Sequence, residues 1–236
     1  MKNGLGNLFL IGLTLLLAAV APNIFPAAEA GYGSMNIFAK EFLIPSIIGL
    51  AIIALLTWKR NSQVARTIVW GALAGGIATL ALEAVRITGF HLGYMPGSLP
   101  ELMGVLLLDR FALGPSTLSN IAGSAYHFWN GAAFGIIFVL LFGTRRVWAA
   151  VLYGLAVGVG FMLSPVVQAL GIGYFGLQFS AGFPVVVLTA HAAFGLALGF
   201  LARRFLGSQP NVAFSAIGKL FHSTRAAASA ESHSRA

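Results

Sequence analysis

The sequence predicts an all-α polytopic membrane protein, a transmembrane helix bundle of six spans, and three observations carry the prediction. Of 236 residues, 58% are hydrophobic and only 8% are charged, whereas a soluble domain carries about 25% charged residues. The apolar residues fall into six stretches that approach the roughly 20 residues needed to cross a bilayer core. Lys and Arg gather in alternate connections between those stretches, as the positive-inside rule requires. The composition excludes a soluble enzyme. It also excludes a nucleic-acid binder, which would hold its basic residues on one solvated face. With no Cys there is no disulfide, thiolate metal site or cysteine nucleophile.

The first span runs from about Leu8 to Val20. Lys2 before it and Ala28-Glu29-Ala30 after it also fit a secretory signal with an A-x-A cleavage site. Residues 1–30 are therefore a signal peptide or the first transmembrane helix, and the bundle has five spans if they are cleaved. Pro22 and Pro26 stop the helix in either case. The second span runs from Phe42 to Trp58, the third from Thr67 to about Thr88, and the fourth from Ile121 to Gly143. The fifth runs from Val147 to Leu170 and the sixth from Phe183 to Ala202. The bundle thus occupies residues 31–204. After it, residues 205–236 are a polar cytoplasmic tail, weakly amphipathic from Val212 to Phe221 and then rich in Ala and Ser, a composition that predicts disorder.

Charge placement orients the bundle. With the N-terminus inside, the clusters Lys59, Arg60 and Arg66, then Arg145 and Arg146, then Arg203 and Arg204 share the cytoplasmic face with both termini. That face carries eleven Lys and Arg against Glu231 alone; the other carries Lys40, Arg86 and Arg110 against Glu29, Glu41, Glu83, Glu101 and Asp109. The net +8 is therefore +10 inside and −2 outside, and the C-terminus is expected in the cytoplasm.

Two outer connections differ in kind. From Leu99 to Phe111 the apolar spacing is helical, with Glu101, Asp109 and Arg110 at the edges, which predicts an interfacial or re-entrant helix capping the outer face. The connection from Gly171 to Gly182 is instead rich in Gly and aromatic residues.

Spans three to six read as a tandem repeat of helical hairpins, residues 67–143 and 147–202. Val69-Trp70 opens one and Val147-Trp148 the other; His127, Gly131 and Gly135 return as His191, Gly195 and Gly199, and both returning helices end in Arg-Arg. Spacing of four places each His and its two Gly on one stripe, where small residues let helix backbones approach. Gly71 with Gly75, and Gly154 with Gly158, offer matching stripes. A four-helix core with both histidines inward is expected, and the same stripes would also suit a second copy of the chain or a membrane-complex partner.

Several of these features resemble a bacterial family of integral membrane proteins known as a domain of unknown function. They are Met95-Pro96, the His127 to Gly135 helix, Gly173-Tyr174-Phe175-Gly176, and Leu188-Thr189-Ala190-His191 leading to Gly195 and Gly199. The resemblance covers residues 67–204. It implies a multi-pass protein of the bacterial cytoplasmic (inner) membrane and no particular chemistry.

Ionisable residues within spans are costly and mark functional sites by default. Here they fall on the outer side: Glu83, Arg86, His91, His127 and His191, with Tyr126, Asn130, Gln168 and Thr189 at similar depth. His127, His191, His91 and Glu83 would complete a four-coordinate zinc, copper, iron or nickel site. Two inward histidines would alternatively supply the axial ligands of a haem. Against both stands a reading that needs no cofactor: each histidine donates to a neighbouring carbonyl, and Glu83 pairs with Arg86 three residues on. His91 also suits an ordinary interfacial position. A proton or solute pathway is a further alternative, but the inner halves of the spans carry no ionisable residue away from the terminal clusters.

Catalysis is not predicted. Ser116, Ser119 and Ser124 have no base and acid at suitable spacing, and Gly75-Gly76 packs a span rather than cradling phosphate. Trp58, Trp70, Trp129 and Trp148 fall near span ends as interfacial anchors. The expected protein is an outward-facing His/Glu/Arg pocket for a transition metal or small solute, used in handling or transport. The alternative is a non-catalytic structural or assembly subunit.

Overall fold

The computed structural model describes residues 2–59 and 62–216. Regular structure there is helical throughout, and six helices are long and apolar enough to cross a membrane. The first, α1 (Lys2–Glu29), is followed by α2 (Met35–Phe38), which continues through a π-turn at Ala39–Leu43 into α3 (Ile44–Thr57). The second span therefore starts at Met35, earlier than its hydropathy suggests, because Ser34 caps it by accepting a bond from the Ile37 N–H. Next come α4 (Ser62–His91), the short α5 (Leu99–Leu107) and α6 (Thr117–Phe142). Then α7 (Val147–Leu163) breaks at Ser164 into α8 (Pro165–Ala169), and α9 (Gly182–Leu206) completes the bundle. Ser116 and Ser119 form a capping box that starts α6, and Gly143 at φ 71° ends it.

Pro22 and Pro26 lie inside α1 and do not stop it. Side chains support the backbone around them: Asn23 Nδ2 donates to the Ala19 carbonyl at 2.7 Å, and the Tyr126 hydroxyl of α6 donates to the Ala21 carbonyl at 2.6 Å. The prolines themselves withdraw donors from the Ala18 and Pro22 carbonyls, and these two bonds hold the neighbouring turns. Ala18, Ala21, Ile24 and Phe25 are buried along the same stretch, so packing holds the helix together.

α4 is the central element, packed along α6 on one side and α9 on the other, while α9 also packs on α7. The predicted glycine stripes make these contacts. A Cβ on Gly75 would stand 2.0 Å from the Gly131 carbonyl oxygen, and one on Gly135 would stand 2.1 Å from that of Gly71. In the other hairpin, a Cβ on Gly154 would stand 2.3 Å from the His191 oxygen and one on Gly195 the same distance from the Ala150 oxygen. Both pairs of helices touch backbone to backbone. The stripes are filled from within the chain.

The hairpins resemble each other internally, but their arrangement does not reproduce a parallel repeat. α4 and α9 pack extensively, whereas α6 and α7, which such symmetry would relate to them, barely meet. α1 fills part of that side, lying against α6, α3 and α8. α5 runs antiparallel along the first turns of α6, where a Cβ on Gly104 would stand 1.9 Å from the Ser119 oxygen. It forms the cap expected between spans three and four, ending at Leu107 with a separate 3-10 turn at Phe111–Leu113.

The chain after Arg204 is ordered further than its composition suggests. Residues 212–216 are helical, and Val212, Ala213 and Ala216 are buried in a cluster with Ile11, Leu50 and Leu140. Thr144 ties this segment down: its N–H donates to the Gln209 carbonyl at 3.0 Å, its hydroxyl accepts from the Gln209 N–H at 2.9 Å and donates to the Gly207 carbonyl. The expected disordered tail beyond this point, 217–236, lies outside the described residues.

Candidate functional site: a cavity between α1, α6, α7 and α9

Divergence of α6 from α7 leaves a cavity of about 510 Å³. Tyr153 of α7 closes it toward the Arg-Arg ends of α6 and α9. Its ring packs on Phe134, Phe138 and Phe142 at centroid distances of 6.2, 5.5 and 5.7 Å, and its hydroxyl donates to the Phe134 carbonyl at 3.2 Å. Toward the opposite end, where α5 lies, Met95, Met103 and Val166 line the cavity and are themselves buried.

Glu83 and Arg86 form a bidentate pair on α4, with Nε to Oε1 at 2.7 Å and Nη2 to Oε2 at 2.6 Å. Helical i, i+3 spacing brings them together. Their side chains are only 15% and 10% exposed, so the pair is largely desolvated and each charge depends on the other. His127 of α6 stands opposite, its Nε2 3.0 Å from Glu83 Oε1 but out of line for a hydrogen bond.

The second histidine has a different neighbour. Gly131 packs on Gly75 and Thr79, while Gly195 packs on Ala150 and Val151, so Glu83 falls opposite His127 and Gly158 falls opposite His191. A Cβ at position 158 would stand 2.9 Å from the His191 ring, and only glycine leaves that ring its place. His191 Nδ1 lies 2.8 Å from the Val187 carbonyl one turn back. The bond assigns the proton to Nδ1 and leaves Nε2 as the acceptor. The ring stacks on Phe161 at 6.4 Å and 19°.

The structure brings Arg86, His127, Asn130 and His191 to the cavity wall, with Glu83 behind Arg86 and His127. Tyr126 also lines it, although its hydroxyl is spent on holding α1. The other expected site residues lie elsewhere. His91 is exposed at the end of α4 beside Phe90, Gln168 is exposed on α8, and Thr189 is exposed in a shallow surface groove with Thr88 and Gly89.

The expected four-ligand metal site is therefore not assembled. Among the described residues no group of three or more His, Asp or Glu is placed to hold a metal ion. Two features stand against it: Arg86 binds both oxygens of Glu83, and His91 lies exposed at the end of α4, outside the cavity lining.

Sequence reasoning missed three contributors: Tyr153, Ser164 and the α1 wall at Asn23 and Phe25. Ser164-Pro165 could have been found, since proline inside a long apolar stretch marks a helix break. Three cavity-lining residues each carry a fully buried side-chain atom with no hydrogen-bond partner among the described residues: Asn130 Oδ1, Ser164 Oγ and His127 Nε2, the last 3.0 Å from Glu83 Oε1. Buried polar atoms are normally paired; these three lie just behind the cavity surface. No family model, curated protein or solved structure matches this chain.

Proposed function

We propose that the chain is a non-enzymatic protein of the bacterial cytoplasmic membrane whose cavity, in the outer half of the bundle, holds a small solute. α1 is retained as the first span in this reading, and the C-terminus is cytoplasmic, as the basic clusters require. The resemblance through the His127 and His191 helices belongs to the same reading. One observation carries it: Arg86, His127, Asn130 and His191 all line a cavity of about 510 Å³, within the range of small-molecule sites. A resident metal draws no support, because the ligands are not gathered. The structural-subunit reading is favoured by the glycine stripes packing helices within the chain and by the His191 bond to the Val187 carbonyl, but it leaves the cavity without a role.

The test is native mass spectrometry of protein purified in mild detergent, with elemental analysis and an absorption spectrum of the same sample. A small organic adduct is expected, with neither stoichiometric metal nor haem, and His127→Ala and His191→Ala should lose it while staying monodisperse. Adduct-free protein, or an adduct indifferent to both substitutions, would sink the proposal.

A further inference from the structure

We infer that the solute is a lipid-soluble amphiphile with a neutral hydrogen-bonding head, and that it enters sideways from the bilayer between α1 and α7. The inference rests on the solute-site reading above and names what that site takes. Hydroxyl, carbonyl or amide heads on an apolar chain or ring system make up the class.

The head group follows from the polar wall. Arg86, His127, Asn130, Ser164 and His191 all line the cavity, and His191 Nε2 is left free by the bond at Nδ1. Together they offer both donors and acceptors. The wall offers no unpaired charge, because Arg86 is held at two nitrogens by both oxygens of Glu83. An ionised head would therefore be buried without a counter-ion, which is strongly unfavourable. The apolar body follows from the remaining lining, which includes Phe25, Leu82, Ile137, Phe161 and Phe194.

The route follows from where the lining reaches the surface. Asn23 of α1 and Gly160 of α7 both line the cavity and are both exposed. Their helices are not packed along each other; α1 packs on α6, α3 and α8, and α7 on α9. Both residues lie within membrane spans, so the gap faces lipid. Asn23 satisfies its own amide on the Ala19 carbonyl, which makes a polar side chain tolerable there. At the two ends of the cavity stand the buried Met95, Met103 and Val166 and the Tyr153 cluster, whereas the exposed lining lies at the α1–α7 gap.

The test uses full-length protein in phosphatidylcholine nanodiscs with three photoactivatable probes of one chain length: an alkanol, the matching carboxylate and the matching trimethylammonium. After irradiation, peptide mapping should find the alkanol on residues 157–164, at the end of α7 and its break. Each charged probe should label at least about tenfold less, a ratio equal to ~1.4 kcal/mol. Gly160→Trp and, separately, Asn23→Trp should each cut alkanol labelling about tenfold by obstructing the gap without touching the polar wall. A Cβ at position 160 meets nothing within 4 Å, so the first is expected to fold. Displacement of the copurified adduct by an unlabelled long-chain alkanol checks the same point with no substitution.

Equal labelling by all three probes overturns the neutral head. Unchanged labelling in both tryptophan variants overturns the lateral route. If no lipid probe labels the cavity while a water-soluble adduct still depends on His127 and His191, the amphiphile fails and the solute site stands. Absence of any adduct and any labelling removes both.

Discussion

The sharpest test of the α4–α6 interface compares two adjacent glycines. A Cβ on Gly75 would stand 2.0 Å from the Gly131 carbonyl oxygen, 2.8 Å from its carbonyl carbon and 3.0 Å from the Gly135 Cα. All three are backbone atoms, so no rotamer change relieves the clash and the helices themselves must part. Ordinary contact begins at 3.4 Å, so the separation required is about 1.4 Å. A gap of even 0.5–1 Å forfeits roughly a quarter to a half of each dispersion contact, and overpacking of this kind costs about 1–3 kcal/mol. Gly75→Ala should therefore shift the unfolding equilibrium by about 5- to 150-fold. Gly76→Ala is the control: its Cβ would meet only the Phe128 oxygen at 4.0 Å, and removing a mid-helix glycine gains about 0.5–1 kcal/mol. Thermal unfolding of detergent-solubilised protein, followed through its tryptophans, measures both variants. If Gly75→Ala is as stable as Gly76→Ala, the close packing of α4 on α6 is wrong.

Three further outcomes follow from particular side chains. Glu83→Gln leaves the buried Arg86 unpaired and should cost about 3–5 kcal/mol, while the double variant Glu83→Gln with Arg86→Met should recover most of the loss, read by the same unfolding assay. Tyr126→Phe removes the bond to the Ala21 carbonyl and should cost about 1 kcal/mol while raising proteolysis of α1, seen by limited digestion of reconstituted protein. Thr144→Ala removes the hydroxyl that binds both Gly207 and Gln209, and hydrogen exchange across residues 207–216 should rise with that of the α6 core unchanged.

Much of the bundle was legible because membrane spans depend on local quantities. Hydropathy marks each stretch without reference to its neighbours, and the i, i+4 spacing of His and Gly marks the face that packs. The pairing of Gly71 and Gly75 with Gly131 and Gly135 followed from that spacing alone. Register along the hairpin did not. Aligning Val69-Trp70 with Val147-Trp148 does not place Glu83 opposite His127 or Gly158 opposite His191, because axial register is set by which backbone surfaces interlock. The prolines of α1 misled for a related reason. Their effect depends on what supports the surrounding backbone, and the Tyr126 hydroxyl comes from 105 positions away in the chain.

The metal reading draws no support at the same boundary between local and global information. Four ionisable residues on one side of a membrane share a depth, yet depth does not bring side chains together. Rotation about each helix axis turned His127 and His191 toward the cavity, while His91 lies exposed at the end of α4. Class, spans and packing faces were accessible from residue order, since each is written in the period and polarity of a single segment. The cavity was not, because it exists only where α6 and α7 part and α1 fails to close the gap. That is a matter of packing between segments, and only the folded chain decides it.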